Sequence, residues 1–391
     1  MSTFKDLDRL LQGFTDSGLP GCTLHVTQRG KLIYEGCFGW SDIENRVPVT
    51  EWSVFRMASM SKLPLYTVMM MLYEKGKCLL TDPIWLYLPE WKDMKKCVRR
   101  PNGSLEIVPA ERPITISDAM SMKCGLPYCN SKAPTDDPTL RSMQACMEPL
   151  WAKGRYTVQE HIAAMSKAVL AFEPGTHWLY GFSSEITAAL IEKLADKPID
   201  DVFREYLFEP LGMTSTASRF FGDMSNRLVK LYTREADGTL APTRTDFDRK
   251  FLPGPEHDAG WGRLFSNVND YTRLLGMLAN GGVWDGVRIM GRKTIDLMRA
   301  NSLNDAQMRD FENLYNAGYG YGLGVRTRIT AEPVGGRGQL GEFGWDGAAC
   351  SYAVIDPVNH LSAFFAMHVR SFGYAYDVIH PTIRDLLYKG M

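Results

Sequence analysis

The sequence predicts an α/β (α+β) protein whose antiparallel sheet, flanked by helices, is built from both ends of the chain. Three observations carry this. Strand-like stretches at Cys22–Thr27 and Lys31–Phe38 stand near the N-terminus, and others at Tyr321–Arg326, Ala348–Ile355 and Leu361–Val369 near the C-terminus. Helical periodicity dominates between them. The two regions are then best joined as one sheet domain, residues 1–80 and 255–391, with a mainly helical insertion at 81–254. No internal repeat disturbs this reading.

Phe4, Leu7, Leu10, Leu11 and Phe14 mark one face of a first helix, stopped by Gly18-Leu19-Pro20-Gly21. The turn at Arg29-Gly30 makes Cys22–Thr27 and Lys31–Phe38 a hairpin. A polar loop, Ser41–Glu51, leads to Phe55-Arg56-Met57-Ala58-Ser59-Met60-Ser61-Lys62 and an apolar run to Leu72, the opening and the body of the second predicted helix. Pro64 is tolerated in a first helical turn, whose N–H groups have no partner there. Residues 92–112 read as a solvated loop with a basic cluster, Lys92, Lys95, Lys96, Arg99 and Arg100. Ile114–Asp118 reads as a helix entry capped by Thr115 or Ser117, ending near Lys123-Cys124-Gly125. Residues 130–157, rich in Pro, Asp and Met, read as a loop over a site. Helices follow at Val158–Leu170, Glu185–Leu194, Ile199–Leu207 and Tyr271–Leu278, and a last one at Asp377–Tyr388.

Composition narrows the function. The 391 residues are 45 % hydrophobic and 23 % charged, with a formal net charge of -1. No basic field favours nucleic acid or an anionic membrane. No window approaches the roughly 18 consecutive apolar residues of a membrane span. The N-terminus has acidic residues and no long apolar core, unlike a secretory signal, so a cytoplasmic protein is expected. Eight scattered cysteines form no C-x-x-C pair and read as reduced core residues. No metal or cofactor is expected, and nothing in the pattern reads on oligomeric state.

Ser59 and Lys62 lie three apart at a helix start, on one face. A lysine amine beside a hydroxyl can take its proton, and the helix N-terminus favours the developing anion. The plainer reading is a serine cap followed by a surface lysine. No G-x-S-x-G, H-E-x-x-H or P-loop is present. Gly336-Arg337-Gly338-Gln339-Leu340-Gly341 matches G-x-G-x-x-G, yet it precedes a strand and reads as a turn. His257, in a glycine-rich stretch, is a second candidate; a surface histidine is the alternative. Tyr180 is either a half-buried structural phenol or a general base beside a lysine. Gly344-Trp345-Asp346-Gly347-Ala348 is either a glycine bulge at a sheet edge or a strand offering N–H groups to an oxyanion.

These stretches, in this order, resemble the serine β-lactamase and penicillin-binding-protein superfamily, nearest in motif to class C β-lactamases, DD-peptidases and family VIII carboxylesterases. Ser59-Met60-Ser61-Lys62 resembles the S-x-x-K motif. Lys123-Cys124-Gly125-Leu126-Pro127-Tyr128 stands where T-S-G-L-P-Y is usual. Glu173-Pro174-Gly175 through Tyr180 resembles the approach to the catalytic tyrosine, and Leu207–Met213 is also typical of the family. Trp345-Asp346-Gly347-Ala348 occupies the third motif. The resemblance implies a β-lactamase/transpeptidase-like fold, Ser59 as nucleophile, and Lys62 with Tyr180 as the proton-transfer pair. It also implies an oxyanion hole from the Ser59 N–H and one in the Gly347–Cys350 strand. Two departures matter. The asparagine expected two residues after the tyrosine is Phe182, followed by Ser183, which is carried as a lesser candidate. The third motif has Trp345 where a cation would pair with a substrate carboxylate.

The resulting expectation is a serine hydrolase cleaving short acyl esters, its partner a small-molecule ester or amide. β-Lactam hydrolysis, D-amino-acid peptide or amide hydrolysis and acyl transfer are the alternatives within the superfamily. A fold-sharing ligand-binding protein is the alternative outside enzymes.

Overall fold

A computed structural model of the chain describes residues 2–129, 135–243, 263–312, 318–331 and 336–389. Its main sheet is antiparallel and draws on both ends of the chain, as expected. The strands are β1 (Gly21–Gln28), β2 (Lys31–Asp42), β3 (Val47–Pro48), β4 (Tyr319–Tyr321), β5 (Arg326–Arg328), β6 (Phe343–Gly344), β7 (Tyr352–Asp356) and β8 (Leu361–Met367). Their order across the sheet is β4-β5-β6-β7-β8-β1-β2-β3. The join between the two termini is the β1–β8 pair, in register from Cys22 opposite Met367 to Gln28 opposite Leu361.

Strand alternation sends successive side chains to opposite faces. Ala363, Phe365 and Met367 pack with Leu7 and Leu11 of helix α1 (Ser2–Asp16) and with Ile383 and Leu387 near the C-terminus. Phe364 and Ala366 join the larger core on the other face, where Tyr271 meets Phe364 at 4.5 Å between ring centroids. Both faces are thus covered, which explains why β7 and β8 are buried at every residue.

Helix α2 (Lys62–Glu74) is buried from Lys62 to Leu72 and packs against α5 (Ser183–Ala195). An all-round apolar helix of this kind belongs inside a core. Other helices include α3 (Pro138–Lys153), α4 (Val158–Met165), α6 (Val268–Ala279) and α7 (His380–Tyr388). Thr115 and Asp118 form a reciprocal capping box at the helix Ile116–Met120, and Thr157 with Glu160 does the same for α4.

Several sequence expectations are corrected. Residues 92–112 are not a plain loop: Lys95–Arg99 and Leu105–Pro109 form a hairpin. Lys96, far from being solvated, is buried between Glu111 at 2.8 Å and Glu173 at 2.5 Å. Residues 138–153 of the expected loop are helix α3, started by Asp137, which accepts from the N–H groups of Thr139 and Leu140. Its buried Met143, Met147 and Leu150 supply a helical stripe that Pro149 disguises. The stretch Tyr321–Arg326 is a turn joining two strands, with Gly324 at φ +85°. Ala348–Ile355 becomes strand only at Tyr352. Val158–Leu170 is helix only to Met165, after which Val169–Leu170 pairs in parallel with Lys95–Lys96. Residues 336–341 do form the connection from β5 to β6, with the Gly341 N–H donating to Arg328 O at 2.9 Å.

Candidate active site

The chain reaches Ser59 through a short strand, Phe55–Arg56, paired antiparallel with Phe265–Ser266. A tight helical turn, Ala58–Ser61, then runs directly into α2. Ala58 adopts φ +46°, a strained value for a residue with a Cβ, at the position just before Ser59. The turn is fixed from three sides. Met57 N–H donates to Leu264 O at 2.9 Å, Leu264 N–H donates to Ser61 Oγ at 3.0 Å, and the Tyr271 hydroxyl donates to Met60 O at 2.7 Å. Ser61 is thereby buried and committed to structure, whereas Ser59 is half-exposed and lines a cavity of about 580 Å³. That size falls within the roughly 300–1,000 Å³ of small-molecule sites.

Lys62 is completely buried. Its Nζ donates to Ser59 Oγ at 3.3 Å and to the Tyr128 hydroxyl at 3.2 Å, and lies 4.8 Å from the centre of the Tyr180 ring. The surface-lysine alternative is excluded by this burial. Tyr180 arrives on a segment held to the 122–128 stretch: Leu179 N–H donates to Met122 O at 2.9 Å and Phe182 N–H to Leu126 O at 3.0 Å. Between them only a glycine fits, since a Cβ on Gly181 would stand 1.9 Å from Leu126 O. This crossing is what brings Tyr128 and Tyr180 to the same lysine, their rings edge-to-face at 5.5 Å.

The third motif closes the site. Trp345 is fully buried, and its indole Nε1–H donates to the Tyr180 hydroxyl at 3.1 Å. Gly347 packs on the turn before Ser59 so tightly that a Cβ there would lie 2.8 Å from Met57 O. Asp346 pairs with Arg326 of β5 at 2.9 Å. Burial pushes the Asp346 carboxyl above the usual carboxylate range, against the opposing pull of Arg326 and Lys62. Ala348 lines the cavity beside Ser59, Tyr180 and Asp346, and Tyr376 and Arg384 line it from the C-terminal segment.

Ser59, Lys62, Tyr180, Trp345, Asp346, Gly347 and Ala348 therefore converge. Ser183 does not line the cavity: it is buried at the start of α5, against the Cys124 thiol. His257 lies outside the described residues. Sequence reasoning missed three groups. Tyr128 closed the Lys123–Tyr128 motif without being singled out. Arg326 supplies, from the neighbouring strand, a cation beside a motif that has none of its own. Tyr376 sits in a tail whose pattern gave only a helix. Among the described residues no group of three His, Cys, Asp or Glu side chains could hold a metal ion, and no helix is long and apolar enough to cross a membrane.

A family model described as Beta-lactamase matches residues 7–383. The chain belongs to the β-lactamase family. It is a member of the serine β-lactamase and penicillin-binding-protein superfamily, and its sheet-and-helix architecture is the fold of that group. Protein Rv1367c of Mycobacterium tuberculosis is 29 % identical over 360 residues, covering 88 % of this chain and 85 % of that one. Among solved structures, EstCE1, described as a hydrolase with promiscuous acyltransferase activity, superposes with a TM-score of 0.81 at 22 % identity, covering 99 % of this chain and 98 % of that one. The simvastatin synthase LovD from Aspergillus terreus gives a TM-score of 0.81 at 20 % identity, with the same coverage of 99 % and 98 %.

Proposed function

We propose that this β-lactamase family member is a carboxylesterase acting on short acyl esters through an acyl-enzyme on Ser59. The observation that carries the reading is the buried Lys62 amine, 3.3 Å from Ser59 Oγ at the wall of a cavity. Lys62 and Tyr180 accept the Ser59 proton as Oγ attacks the ester carbonyl. The N–H of Ser59, among the first of a helical turn and so without an intrahelical acceptor, faces the developing oxyanion with one from the Gly347–Cys350 segment. Collapse of the tetrahedral intermediate expels the alcohol, which takes the proton back from the Lys62–Tyr180 pair. Water then repeats the sequence on the acyl-enzyme and releases the acid.

The ester preference rests on the third motif. A buried tryptophan stands where a cation would meet a substrate carboxylate, and Arg326 nearby is already paired with Asp346. Hydrolysis of p-nitrophenyl butyrate tests the reading. Wild-type protein should release p-nitrophenol, and Ser59→Ala should reduce the rate to background. Equal rates in the two proteins would reject Ser59 as nucleophile. Nitrocefin turnover matching that of the ester would reject the ester preference.

A further inference from the structure

Among the described residues, the donors that reach the carbonyls of residues 347–350 from outside that turn come from the C-terminal segment. The Tyr376 hydroxyl donates to Gly347 O at 2.9 Å, Ser371 N–H donates to Ala348 O at 2.8 Å, and His380 Nε2 lies 3.0 Å from Cys350 O. Against a carbonyl acceptor, that histidine nitrogen is the protonated one. Ser371, Tyr376 and His380 all belong to the C-terminal segment. Three carbonyls of residues 347–350 are therefore drawn toward the tail. A peptide unit is planar and trans, so its N–H points opposite to its C=O. The N–H groups of Ala348 and Ala349 then face away from the tail, and among the described residues neither has an acceptor. The turn is closed by Gly347 N–H to Ser351 O at 2.9 Å and Cys350 N–H to Gly347 O at 2.7 Å, with Cys350 at φ +66°. A non-glycine residue persists in that region only where its surroundings impose it.

We propose that Tyr376 is a positioning residue for the oxyanion hole: by holding Gly347 O, it aims the Ala348 N–H at the charge that develops when Ser59 attacks. The proposal rests on the acyl-enzyme reading and extends it to the C-terminal wall of the cavity. The effect assigned to Tyr376 passes through the Gly347–Ala348 peptide. Burial raises the Tyr376 hydroxyl well above the usual phenol range, with Cys350 and Asp346 adding to it, so the group stays a donor throughout the working range. Because Cys350 N–H also holds Gly347 O, removing the phenol oxygen loosens the peptide without releasing it.

The test compares wild type with Tyr376→Phe, which keeps the ring. One measurement is the rate at which a fluorophosphonate labels Ser59, whose phosphoryl oxygen enters the same hole whatever the natural substrate. The other is kcat for phenyl butyrate and for its thiono analogue, whose sulfur accepts hydrogen bonds poorly. The expected result is labelling slowed about tenfold, kcat lowered on the oxygen ester with KM unchanged, and a smaller loss on the thionoester. Equal losses on both esters, or labelling as fast as wild type, would overturn the proposal while leaving Ser59 as nucleophile. Wild-type protein that is not labelled at Ser59 would overturn the acyl-enzyme reading and this proposal together.

Discussion

The indole N–H of Trp345 and the hydroxyl of Tyr180 are joined by a hydrogen bond of 3.1 Å, across two elements separated by more than 160 positions in the chain. The two rings also pack at 5.4 Å between centroids. In the proposed mechanism this phenol oxygen takes part in moving the Ser59 proton, and an indole donor aimed at it stabilises the negative charge it carries in that exchange. Trp345→Phe keeps most of the packing and removes the donor. Hydrogen bonds to charged groups contribute about 1.5–3 kcal/mol, so kcat on p-nitrophenyl butyrate should fall on the order of ten- to a hundredfold. A variant with unchanged kcat would show that the bond is structural.

Much of this was legible in the chain because the decisive signals are local. Ser59 and Lys62 share one helical turn, and the helix behind them announces itself by an unbroken apolar run. The strands at both ends alternate or run apolar in short bounded stretches, enough to join the two ends in one sheet; the hairpin at Arg29-Gly30 makes its first pair antiparallel, and the family resemblance implies the rest. What was not legible depends on contacts between distant segments. Nothing in residues 92–112 signals that Lys96 meets Glu173, so a buried ion pair read as a solvated patch. Tyr128 reaches Lys62 only because Gly181 lets two backbone segments cross, and Arg326 reaches Asp346 only by strand pairing. Helix α3 was hidden for a different reason: an internal proline outweighed its stripe of methionines in a reading of local propensity.

Lys62 offers a test in which activity and stability part company. The side chain is wholly buried, and taking its polar amine out of water carries a desolvation cost that its partners offset only in part. Lys62→Met retains the volume and removes the amine that the proposed mechanism uses as base. Ester turnover should fall by roughly 10²–10⁴, while the melting temperature should hold or rise. Loss of activity accompanied by a large drop in melting temperature would instead assign Lys62 a structural role.

Gly347 and Gly13 should respond in opposite ways to the same substitution. A Cβ at Gly347 meets a backbone carbonyl, Met57 O, at 2.8 Å, and backbone on both sides has little room to give. In the proposed mechanism the segment after Gly347 carries an oxyanion donor, so Gly347→Ala should displace it and lower kcat on the order of a hundredfold. Gly13 sits within α1 with nothing inside 4 Å of its Cβ position. Gly13→Ala should leave kcat unchanged and add about 0.5–1 kcal/mol of stability in denaturant unfolding. Equal kcat in the two variants would remove Gly347 from the site's geometry.

The buried histidines predict how stability depends on pH. Burial lowers His25 to about 4, His368 to about 4 and His380 to about 3, from an ordinary value of 6.5. Each folded value lies below the unfolded one, so the native state keeps the ring neutral while the unfolded chain binds a proton as pH falls through 6.5. The unfolded state then holds more protons, and stability declines as pH drops from about 6.5 toward 4, each histidine contributing a slope of up to about 1.4 kcal/mol per pH unit. Above pH 7 both states are neutral and the effect vanishes. Urea unfolding at pH 7.5 and 5.5 measures the difference. His380→Phe should be less stable than wild type at pH 7.5, because the ring's contact with Cys350 O is lost and its stacking on Tyr352 at 4.6 Å is altered. Yet its loss of stability between the two pH values should be smaller than that of wild type. An identical pH slope in both proteins would mean that His380 takes up its proton in the folded state, at Nδ1, with the Nε2–H contact to Cys350 O kept.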